Sequence, residues 1–424
     1  MLLWIALGLT RRHEDYLPVW ECQEEISLLR SCAVQTLWGL KMHNYKLTRR
    51  DFLKASGASL FLSGIPLPGF TSDEPPGNIS VIILEGGMDG LTAVPPFGDP
   101  NLSKMRESLV PENYLKLNSF FGLHPSLKKL SSFMASNNAS IVHATSFPYK
   151  KRSHFEGQNL VEGGGLSPFS EKTGWLGRSL ELAKIPGRAL SLDMPLILRG
   201  YNENDNFFPA NIQNSNRINN NLVDSLSKAH NKEGSKVFQK VKQKSIERLG
   251  NIPRDAESLA EYAGNAMSKK GGPVASVIRL DAFDTHASQG DGEGKDLGVE
   301  LAKVDNVIAA YRRGLGSSWD KSIILTITEF GRTVAMNGTW GTDHGYGTVG
   351  LLAGGAIKKS RVIAKWPGLA KNEQYEQRDL MATIDYRSVC AACIEKSLGL
   401  DHDVIASQVF FDSKLPRVFD YIFT

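Results

Sequence analysis

Cysteine is scarce in this chain, with four residues among 424. Cys22 and Cys32 lie near the N-terminus, whereas Cys390 and Cys393 form a C-A-A-C motif. Because no second cysteine pair follows that motif, a zinc ribbon is excluded. The spacing would suit a redox pair, but the surrounding helical pattern favours two small buried residues on one face of a helix.

Net charge is also small. The chain has 49 Lys and Arg against 45 Asp and Glu, a formal net charge of +4. It has no basic stripe with interleaved aromatic residues, so nucleic acid is not an expected partner. Internal repeats and long low-complexity runs are absent as well. With 41% hydrophobic and 22% charged residues, the composition is that of an ordinary globular protein.

One short apolar stretch stands directly behind a pair of arginines. The segment Lys46–Phe70 reads "KLTRRDFLKASGASLFLSGIPLPGF", and its apolar part, after Arg49 and Arg50, is too short to span a membrane. It resembles a twin-arginine export signal, with a basic amphipathic helix as the alternative. We therefore expect residues 1–41 to be an over-extended start or disordered, 42–70 to be the signal and 71–77 to be a linker.

Such a signal predicts a periplasmic or extracellular protein that the twin-arginine export machinery carries in its folded state. Because folded proteins can take up a metal or cofactor before export, the signal mildly favours a bound metal. The segment contains no clean A-x-A site that would mark signal cleavage.

The rest of the chain alternates apolar runs with helical patterns. Five continuous apolar runs predict buried strands, and they read "NISVIIL", "ASIVHAT", "PVASVIRL", "SIILTIT" and "TVGLLAGGA". A helical pattern lies between the third and fourth runs, with apolar residues at Leu297, Leu301, Val304, Ile308 and Tyr311. Residues 78–424 are thus predicted to form an α/β domain with a doubly wound, mostly parallel sheet. A polar helical excursion is expected at about 220–270, and a closing helix from about Tyr386 to Leu398.

Polar side chains gather where these strands end. They are Asp89, His143, Ser153, His154, Asp284, His286, Glu329, Arg332, Asp343 and His344. Ligands of such sheets bind outside the carboxyl ends of the strands, so most of these groups should converge on one edge. Carboxylate and neutral imidazole suit zinc, manganese or iron. The predicted metal ligands are Asp89, Asp284, His286, Asp343 and His344.

Two of these ligand predictions have structural alternatives. Asp89, in "EGGMDG", could be only a turn residue, because Asp beside Gly suits tight turns. Asp284, in "FDTH", could be an N-cap within a loop. The pair Asp343–His344 is more specific, because the glycine that follows permits the irregular backbone that two adjacent ligands require.

Catalytic roles are predicted for Ser153, Arg152 and Arg332. Ser153 opens a helical pattern with Glu156 three residues later, which could be a capping box. A serine at a helix N-terminus beside a metal could instead be an activated nucleophile. Each arginine could clamp an anionic group or form a structural ion pair.

Supporting roles are predicted for two more residues. Glu329 is expected to orient a ligand histidine from behind, and His154 to belong to the same outer layer. His124, in "LHPSLKKL", precedes a helical pattern and is expected to cap or pack there.

Together these motifs resemble the domain of unknown function 1501 family, a set of bacterial proteins that are often exported by the twin-arginine pathway. The resemblance runs from about Lys46 to the C-terminus. Its motifs, in order, are "GGMDGL", "PPFGDP", "LHPSLKKL", "RSHFEG", "GWLGR", "FDTHASQ", "TEFGRT", "GTDHG" and "DYRSV". Such an ordered series is highly specific for the family and much less specific for a reaction. The family is placed in the alkaline phosphatase and sulfatase-like superfamily, which implies a three-layer sandwich.

The resemblance to the superfamily also implies roles. Asp89, Asp343 and His344 resemble the ligands of one metal ion, and Asp284 and His286 resemble those of a second. The serine in "RSHFEG" resembles the nucleophile at a helix N-terminus. Two ions would polarise a phosphate or sulfate ester and stabilise its attacking and leaving oxygens. The resemblance thus implies an exported hydrolase of a small-molecule or glycan ester with one or two zinc, manganese or iron ions, calcium being disfavoured.

The alternative is a non-catalytic exported binding or structural protein that retains a partial metal site. Members of the family often occur beside another uncharacterised exported family in genomes, so the resemblance also implies a possible partner protein of that kind. The sequence indicates no particular substrate.

Overall fold

The structure is a computed structural model that describes residues 76–184, 188–191, 196–201, 204–206 and 255–424. The predicted export signal, most of the predicted linker and most of the polar excursion lie outside the described residues. Among the helices of the described ranges, none combines the length and apolar character that a membrane span requires.

A mostly parallel sheet forms the centre of the fold. Its strands are β1 (Asn78–Leu84), β4 (Ala139–Ser146), β5 (Arg188–Ser191), β6 (Asn204–Asn206), β7 (Pro273–Leu280), β8 (Ser322–Thr328), β9 (Thr348–Ala353), β10 (Val362–Ile363) and β11 (Ile384–Asp385). They lie in the order β10–β4–β9–β8–β1–β7–β5–β6, and β11 also pairs with β4. Of these described strands, β9 alone runs antiparallel to its neighbours, β4 and β8. A separate antiparallel pair consists of β2 (Leu115–Lys116) and β3 (Gly122–Leu123).

Helices cover the sheet and connect its strands. The described α-helices are α1 (Gly90–Ala93), α2 (Leu102–Arg106), α3 (Lys128–Ala135), α4 (His154–Gly163), α5 (Trp175–Ala183), α6 (Ala256–Met267), α7 (Asp296–Leu315), α8 (Tyr386–Leu398), α9 (His402–Val404) and α10 (Phe419–Phe423). Short 3₁₀ segments occupy Glu107–Leu109, Leu196–Leu198, Gly316–Lys321 and Lys371–Glu373, and a π-helical turn occupies Ile405–Val409.

Alternate residues of β1 pack into two different cores. Ile79, Val81 and Ile83 belong to the core that contains residues of α5 and α8. Ile82 and Leu84 belong to the core on the opposite face, which contains residues of α6 and α7. All 7 residues of β1 are buried, which explains its continuous apolar run. Helices therefore cover both faces of the sheet, and the predicted α/β fold with a mostly parallel sheet is confirmed.

The elements predicted from strong patterns are present. The five apolar runs form β1, β4, β7, β8 and β9, and the helix between the third and fourth runs is α7, whose predicted apolar residues are buried. The closing helix is α8, which Asp385 caps by accepting from the backbone N of Arg387 and which ends at Gly399 with φ 68°. Cys390 and Cys393 are free thiols buried in α8, and burial raises the pKa of both. They pack as small core residues.

Candidate metal centre

The polar side chains meet at one edge of the sheet. The segments that follow β1, β7 and β8 leave the carboxyl ends of parallel strands, and the segment before β9 reaches the same edge because β9 is antiparallel to β8. Hydrogen bonds join these segments: the backbone N of Gly86 donates to Glu329 Oε1 at 2.8 Å, and that of Gly331 to the carbonyl of Tyr346 at 3.0 Å. The N-terminus of α4 completes the edge through His154.

Close packing of the backbone brings the segments together. Gly86 has φ 120°, and a Cβ atom at that position would lie 2.3 Å from the backbone N of Asp284. A Cβ atom at Gly345 would lie 2.4 Å from the carbonyl carbon of Arg332. Glycine is therefore required at both positions, and the approach places Asp284 and His344 within reach of each other.

Four side chains form a compact group, here named the histidine–aspartate cluster: His154, Asp284, His286 and His344. The Nε2 atom of His344 lies 3.0 Å from Nε2 of His154, 2.9 Å from Nε2 of His286 and 3.0 Å from Oδ1 of Asp284. Asp284 also lies 3.5 Å from Nε2 of His154 and 3.0 Å from Nε2 of His286. The ligand atoms of His154, Asp284 and His344 all lie within 4.8 Å of one another, so these three residues could hold one metal ion.

The other ring nitrogen of each histidine is held by an oxygen acceptor. Nδ1 of His154 lies 2.7 Å from Glu329 Oε1, and Nδ1 of His344 lies 2.9 Å from the carbonyl of Arg152. Nδ1 of His286 lies 3.2 Å from Asp343 Oδ1. The hydrogen bond from Asn337 lowers the pKa of Asp343, so that this carboxylate is an acceptor.

These acceptors determine the tautomers. A carbonyl or carboxylate oxygen only accepts, so each Nδ1 carries its proton and each neutral ring presents a lone pair at Nε2. Three such lone pairs then face one another and one carboxylate. Without a cation between them they repel, and a proton relieves that repulsion in part. The hydrogen bond to Glu329 raises the pKa of His154, which favours its protonation, whereas burial lowers the pKa of His344.

Asp284 is held in its ionised form by Arg332. Nη2 of Arg332 lies 2.9 Å from Oδ1 of Asp284, and the arginine side chain is fully buried. Burial would raise the pKa of Asp284, but the charge of Arg332, followed by contacts with His286 and His344, lowers it overall. Arg332 Nε and Nη1 have no hydrogen-bond partner among the described residues. Arg332 was predicted as an anion clamp or a structural ion pair; its Nη2 contacts Asp284 of the cluster and donates to the carbonyl of Phe283 at 3.4 Å.

The carboxylate of Asp89 contacts residues outside the cluster, contrary to its prediction as a ligand. Its carboxylate is 1% exposed and lies 2.9 Å from Nη1 of Arg106. It caps α1 through the backbone N atoms of Leu91 and Thr92, and it accepts from Gln289 Nε2 at 2.6 Å. Burial would raise the pKa of Asp89, but Arg106 and these hydrogen bonds lower it overall. Because its oxygens are already engaged, Asp89 is a buried turn residue, as the structural alternative stated.

The side chains of Asp343 and His344 do not converge on one position, as two ligands of the same metal ion would. His344 is in the cluster, whereas Oδ1 of Asp343 accepts from His286 and from Asn337 Nδ2 at 3.1 Å. The contact places Asp343 behind His286, so the prediction that it is a ligand gives way to a supporting position. The backbone of Asp343 is held by Thr333: its N donates to Thr333 Oγ1 at 3.1 Å, and its carbonyl accepts from the N of Thr333 at 2.9 Å.

Arg152 also departs from its predicted role. Its guanidinium lies 2.7 Å from Asp379 and 2.5 Å from Glu376, so it forms the structural ion pair that was the alternative to an anion clamp. Its backbone has φ 61°, a conformation that is uncommon for a residue with a side chain. That conformation presents the carbonyl to His344.

Ser153 is the N-cap residue of α4, but its side chain makes no cap hydrogen bond within the described structure. Glu156 accepts instead from Tyr149 Oη at 3.0 Å and lies 3.6 Å from Lys151 Nζ. The capping box is therefore not formed, and Ser153 is a half-buried residue that immediately precedes His154 in sequence. Its role as a nucleophile stays a prediction.

The sequence assigned one residue of the site the wrong role, as a support instead of a ligand, and it gave no sign of two others. His154 was predicted to support the ligands, yet its Nε2 atom belongs to the cluster, and Glu329 lies behind it as expected of an orienting group. Arg106 and Gln289 were not singled out, because nothing local marks a buried partner that is distant in sequence.

Two further histidines lie in the core. His124 is fully buried, in agreement with packing, and His143 is buried with Nε2 3.0 Å from the carbonyl of Val94.

The fold and the cluster define an α/β protein with a candidate metal centre at the edge of a mostly parallel sheet. Residues 117–392 match the family described as "Protein of unknown function (DUF1501)". The match spans more than half of the chain, so the chain belongs to this family, as its motifs indicated. No curated protein matches the chain in sequence.

Several solved structures have a similar fold. The C-terminal periplasmic domain of EcEptC from Escherichia coli, in complex with Zn, is 10% identical, with a TM-score of 0.41 and coverage of 82% of this chain and 88% of that one. The lipoteichoic acid synthase LtaP from Listeria monocytogenes is 12% identical, with a TM-score of 0.38 and coverage of 82% and 79%. PsFucS1 sulfatase from Pseudoalteromonas sp. is 11% identical, with a TM-score of 0.37 and coverage of 89% and 76%. Likenesses this distant carry no argument about the site.

Proposed function

We propose that this protein is a metal-dependent hydrolase of a phosphate or sulfate ester that acts outside the cytoplasm. The observation that carries the proposal is the convergence of three imidazole Nε2 atoms on the carboxylate of Asp284, with every Nδ1 fixed by an acceptor. Orientation of ligand histidines by a layer of oxygen acceptors is the usual construction of a protein metal site.

The donor set fits one divalent transition-metal ion. His154, Asp284 and His344 would hold it, with His286 available as a further ligand. Imidazole and carboxylate suit zinc, manganese or iron, whereas calcium prefers oxygen ligands alone. One ion is proposed, because the two predicted ligand sets merge in a single cluster and Asp89 is engaged by Arg106.

The surrounding residues have definite tasks in this proposal. When bound, the ion supplies Lewis-acid polarisation of a phosphoryl or sulfuryl oxygen. Arg332 keeps Asp284 ionised, while Glu329 and Asp343 fix two of the imidazole rings. Ser153, at the N-terminus of the ten-residue helix α4, is the proposed nucleophile, and the free N–H groups of that helix end favour an anionic ester.

Cations beside the cluster support an anionic substrate. Arg378 donates from Nη2 to the carbonyl of His344 at 2.9 Å and is 41% exposed. Nζ of Lys150 lies 5.2 Å from the ring centroid of Tyr375 and 5.8 Å from that of Tyr346. The two rings hold this ammonium group beside Tyr346, two residues after His344 in sequence, and its charge would attract a phosphate or sulfate group.

Export is the second part of the proposal. The motif "TRRDFLK" supports delivery of the folded chain by the twin-arginine machinery to a periplasmic or extracellular location. A partner exported protein belongs to the same proposal, and the family resemblance alone supports it. Fractionation of cells that produce the full chain, compared with an Arg49→Lys, Arg50→Lys variant, tests the export step.

Ester turnover tests the hydrolase assignment. We expect the metal-loaded chain to hydrolyse at least one member of a panel of phosphate and sulfate esters, and to lose that turnover after chelation. Ser153→Ala should abolish turnover while the metal content stays unchanged. A metal-loaded chain that turns over no ester contradicts the hydrolase and favours a non-catalytic binding protein with the same metal site.

A further inference from the structure

Gln289 is a fully buried amide between the candidate metal centre and the end of β1. Its Nε2 donates to Asp89 Oδ2 at 2.6 Å and to Thr92 Oγ1 at 3.3 Å. Its Oε1 accepts from Thr285 Oγ1 and from Thr342 Oγ1, both at 2.8 Å. The amide therefore uses both of its N–H groups and both lone pairs of its oxygen.

The orientation of this amide has one solution. Rotation by 180° would place Oε1 against the carboxylate of Asp89, where two acceptors repel. Asp89 itself is fixed by Arg106 and by its position as the N-cap of α1. The donor side of Gln289 is thus anchored to a buried ion pair, and its acceptor side must face the two threonines.

Both threonines belong to segments that carry residues of the cluster. Thr285 lies between Asp284 and His286, and Thr342 is two residues before His344. The segments also share three backbone hydrogen bonds: the N of Thr342 donates to the carbonyl of Thr285 at 3.1 Å, the N of Ser288 to that of Thr339 at 3.0 Å, and the N of Gln289 to that of Trp340 at 3.0 Å. The ion pair extends to a third segment, because Arg106 Nη2 donates to the carbonyl of Thr333.

We propose that Gln289 is a positioning residue that couples the Asp89–Arg106 ion pair to both ligand-bearing segments. Its amide adds a side-chain link between residues 283–290 and residues 337–347 to their backbone hydrogen bonds, and it ties both segments to the ion pair. The effect on metal binding rests on the proposed metal centre, whereas the coupling of the two segments is a property of the chain without metal. Asp89 then acts on the cluster through Gln289.

Hydrogen–deuterium exchange on the metal-free full chain tests the coupling. Gln289→Leu should speed exchange in 283–290 and in 337–347 together, and Thr342→Val should speed it only in 337–347. Gln374→Leu is the matched control, because its buried amide donates to the carbonyl of Leu369 and to the sulfur of Met105, outside both segments. Faster exchange in only one segment, or the same pattern in the control, overturns the proposal.

A second variant keeps the test valid if Gln289→Leu does not fold. Thr285→Val replaces one hydroxyl group with a methyl group of similar size. It should speed exchange in 283–290 alone, whereas Thr342→Val should speed it in 337–347 alone. If each threonine variant loosens both segments equally, the two are joined by packing and the backbone, and the amide is not the coupling group.

Cobalt titration then separates this inference from the proposed function. We expect Gln289→Leu to bind Co²⁺ with about 10- to 100-fold lower affinity, at unchanged stoichiometry and with altered visible absorption bands. Gln374→Leu should match the parent chain in both. If the parent binds no Co²⁺ the metal centre fails, while the exchange pattern still decides the coupling. If Gln289→Leu binds Co²⁺ like the parent, the positioning role is overturned.

Discussion

At the scale of single residues, the chemistry of the site depends on which ring nitrogen of each histidine carries a proton. In the cluster, the Nε2 atoms of His154 and His286 each lie about one hydrogen-bond length from Nε2 of His344. Nε2 of His344 lies equally close to the carboxylate of Asp284. Glu329, Asp343 and the carbonyl of Arg152 decide the tautomers from outside the cluster. Substitution of Glu329 or Asp343 should therefore change the metal centre without removing a ligand.

Glu329→Gln should lower the pKa of His154 toward its ordinary value. The hydrogen bond to Glu329 is the largest cause of the raised pKa, and the substitution removes its charge. A raised histidine pKa stabilises the folded metal-free chain fully below the unfolded pKa, and that contribution is lost as pH rises through the folded pKa. NMR titration of the metal-free chain measures the shift.

Glu156→Gln is the control for this titration. Its carboxylate accepts from Tyr149 and not from a histidine, so the titration of His154 should match that of the parent. An unchanged His154 titration in Glu329→Gln would show that the buried carboxylate does not govern the ring.

Residue by residue, the sequence placed Asp284, His286 and His344 at the ends of strands, and the structure brings all three together. It could not separate Asp89 from them, because an aspartate beside glycine after a strand suits both a ligand and a turn. The deciding partners, Arg106 and Gln289, come from other segments, at sequence separations of 17 and 200. Only tertiary contact reveals them.

At the scale of elements, the sequence predicted the helices and strands that have a strong local hydrophobic pattern. β1, β7 and β8 are buried on both faces, and α7 repeats its apolar residues at helical spacing. The direction of β9 was not predictable, because it depends on pairing with β4 and β8. β10 and β11 have two residues each, too few for a recognisable period.

The turn after β1 should not tolerate a side chain at Gly86. Gly86→Ala would place Cβ 2.3 Å from the backbone N of Asp284 at φ 120°, so we expect a loss of at least about 1 kcal/mol in the free energy of unfolding. Gly292→Ala is the control, because Cβ there would meet nothing within 4 Å. Urea denaturation measures both, and equal midpoints for the two variants would contradict the close approach.

At the scale of the whole molecule, two helix-covered faces bury polar as well as apolar groups. His124 and His143 are both fully buried, and burial lowers the pKa of each to about 4. The nearby charges of Asp89 and Glu293 act in the opposite direction but are outweighed. Both rings are therefore neutral in the folded chain at neutral pH.

The folded chain should lose stability in mild acid. Because the folded pKa of each ring is lowered, its contribution is complete above the unfolded pKa of 6.5 and is lost as pH falls toward about 4. Each ring contributes up to ~3 kcal/mol over that range. Urea unfolding of the metal-free chain at pH 7 and pH 4.5 measures the loss. The difference should be smaller in His143→Gln, and an unchanged difference would show that this ring does not contribute.

The family assignment also belongs to the scale of the whole molecule. It follows from an ordered series of motifs that the sequence displays directly, and the family match confirms it. Export remains a proposal supported by Arg49 and Arg50, which lie outside the described residues. The reaction could not be predicted with the same force, because it depends on distances between side chains that no sequence pattern encodes.

Metal content of the folded full chain, purified without chelator and measured by mass spectrometry, is the decisive measurement for the candidate metal centre. We predict about one equivalent of zinc, manganese or iron, strongly reduced in Asp284→Asn and in His344→Gln. Asp343→Asn should retain the metal with weaker affinity, because the residue supports His286 from behind. A well-folded chain that binds no metal even after metal is added would show that the cluster is not a metal centre. Metal retention in Asp284→Asn together with loss in Asp343→Asn would show that the assigned ligands are wrong.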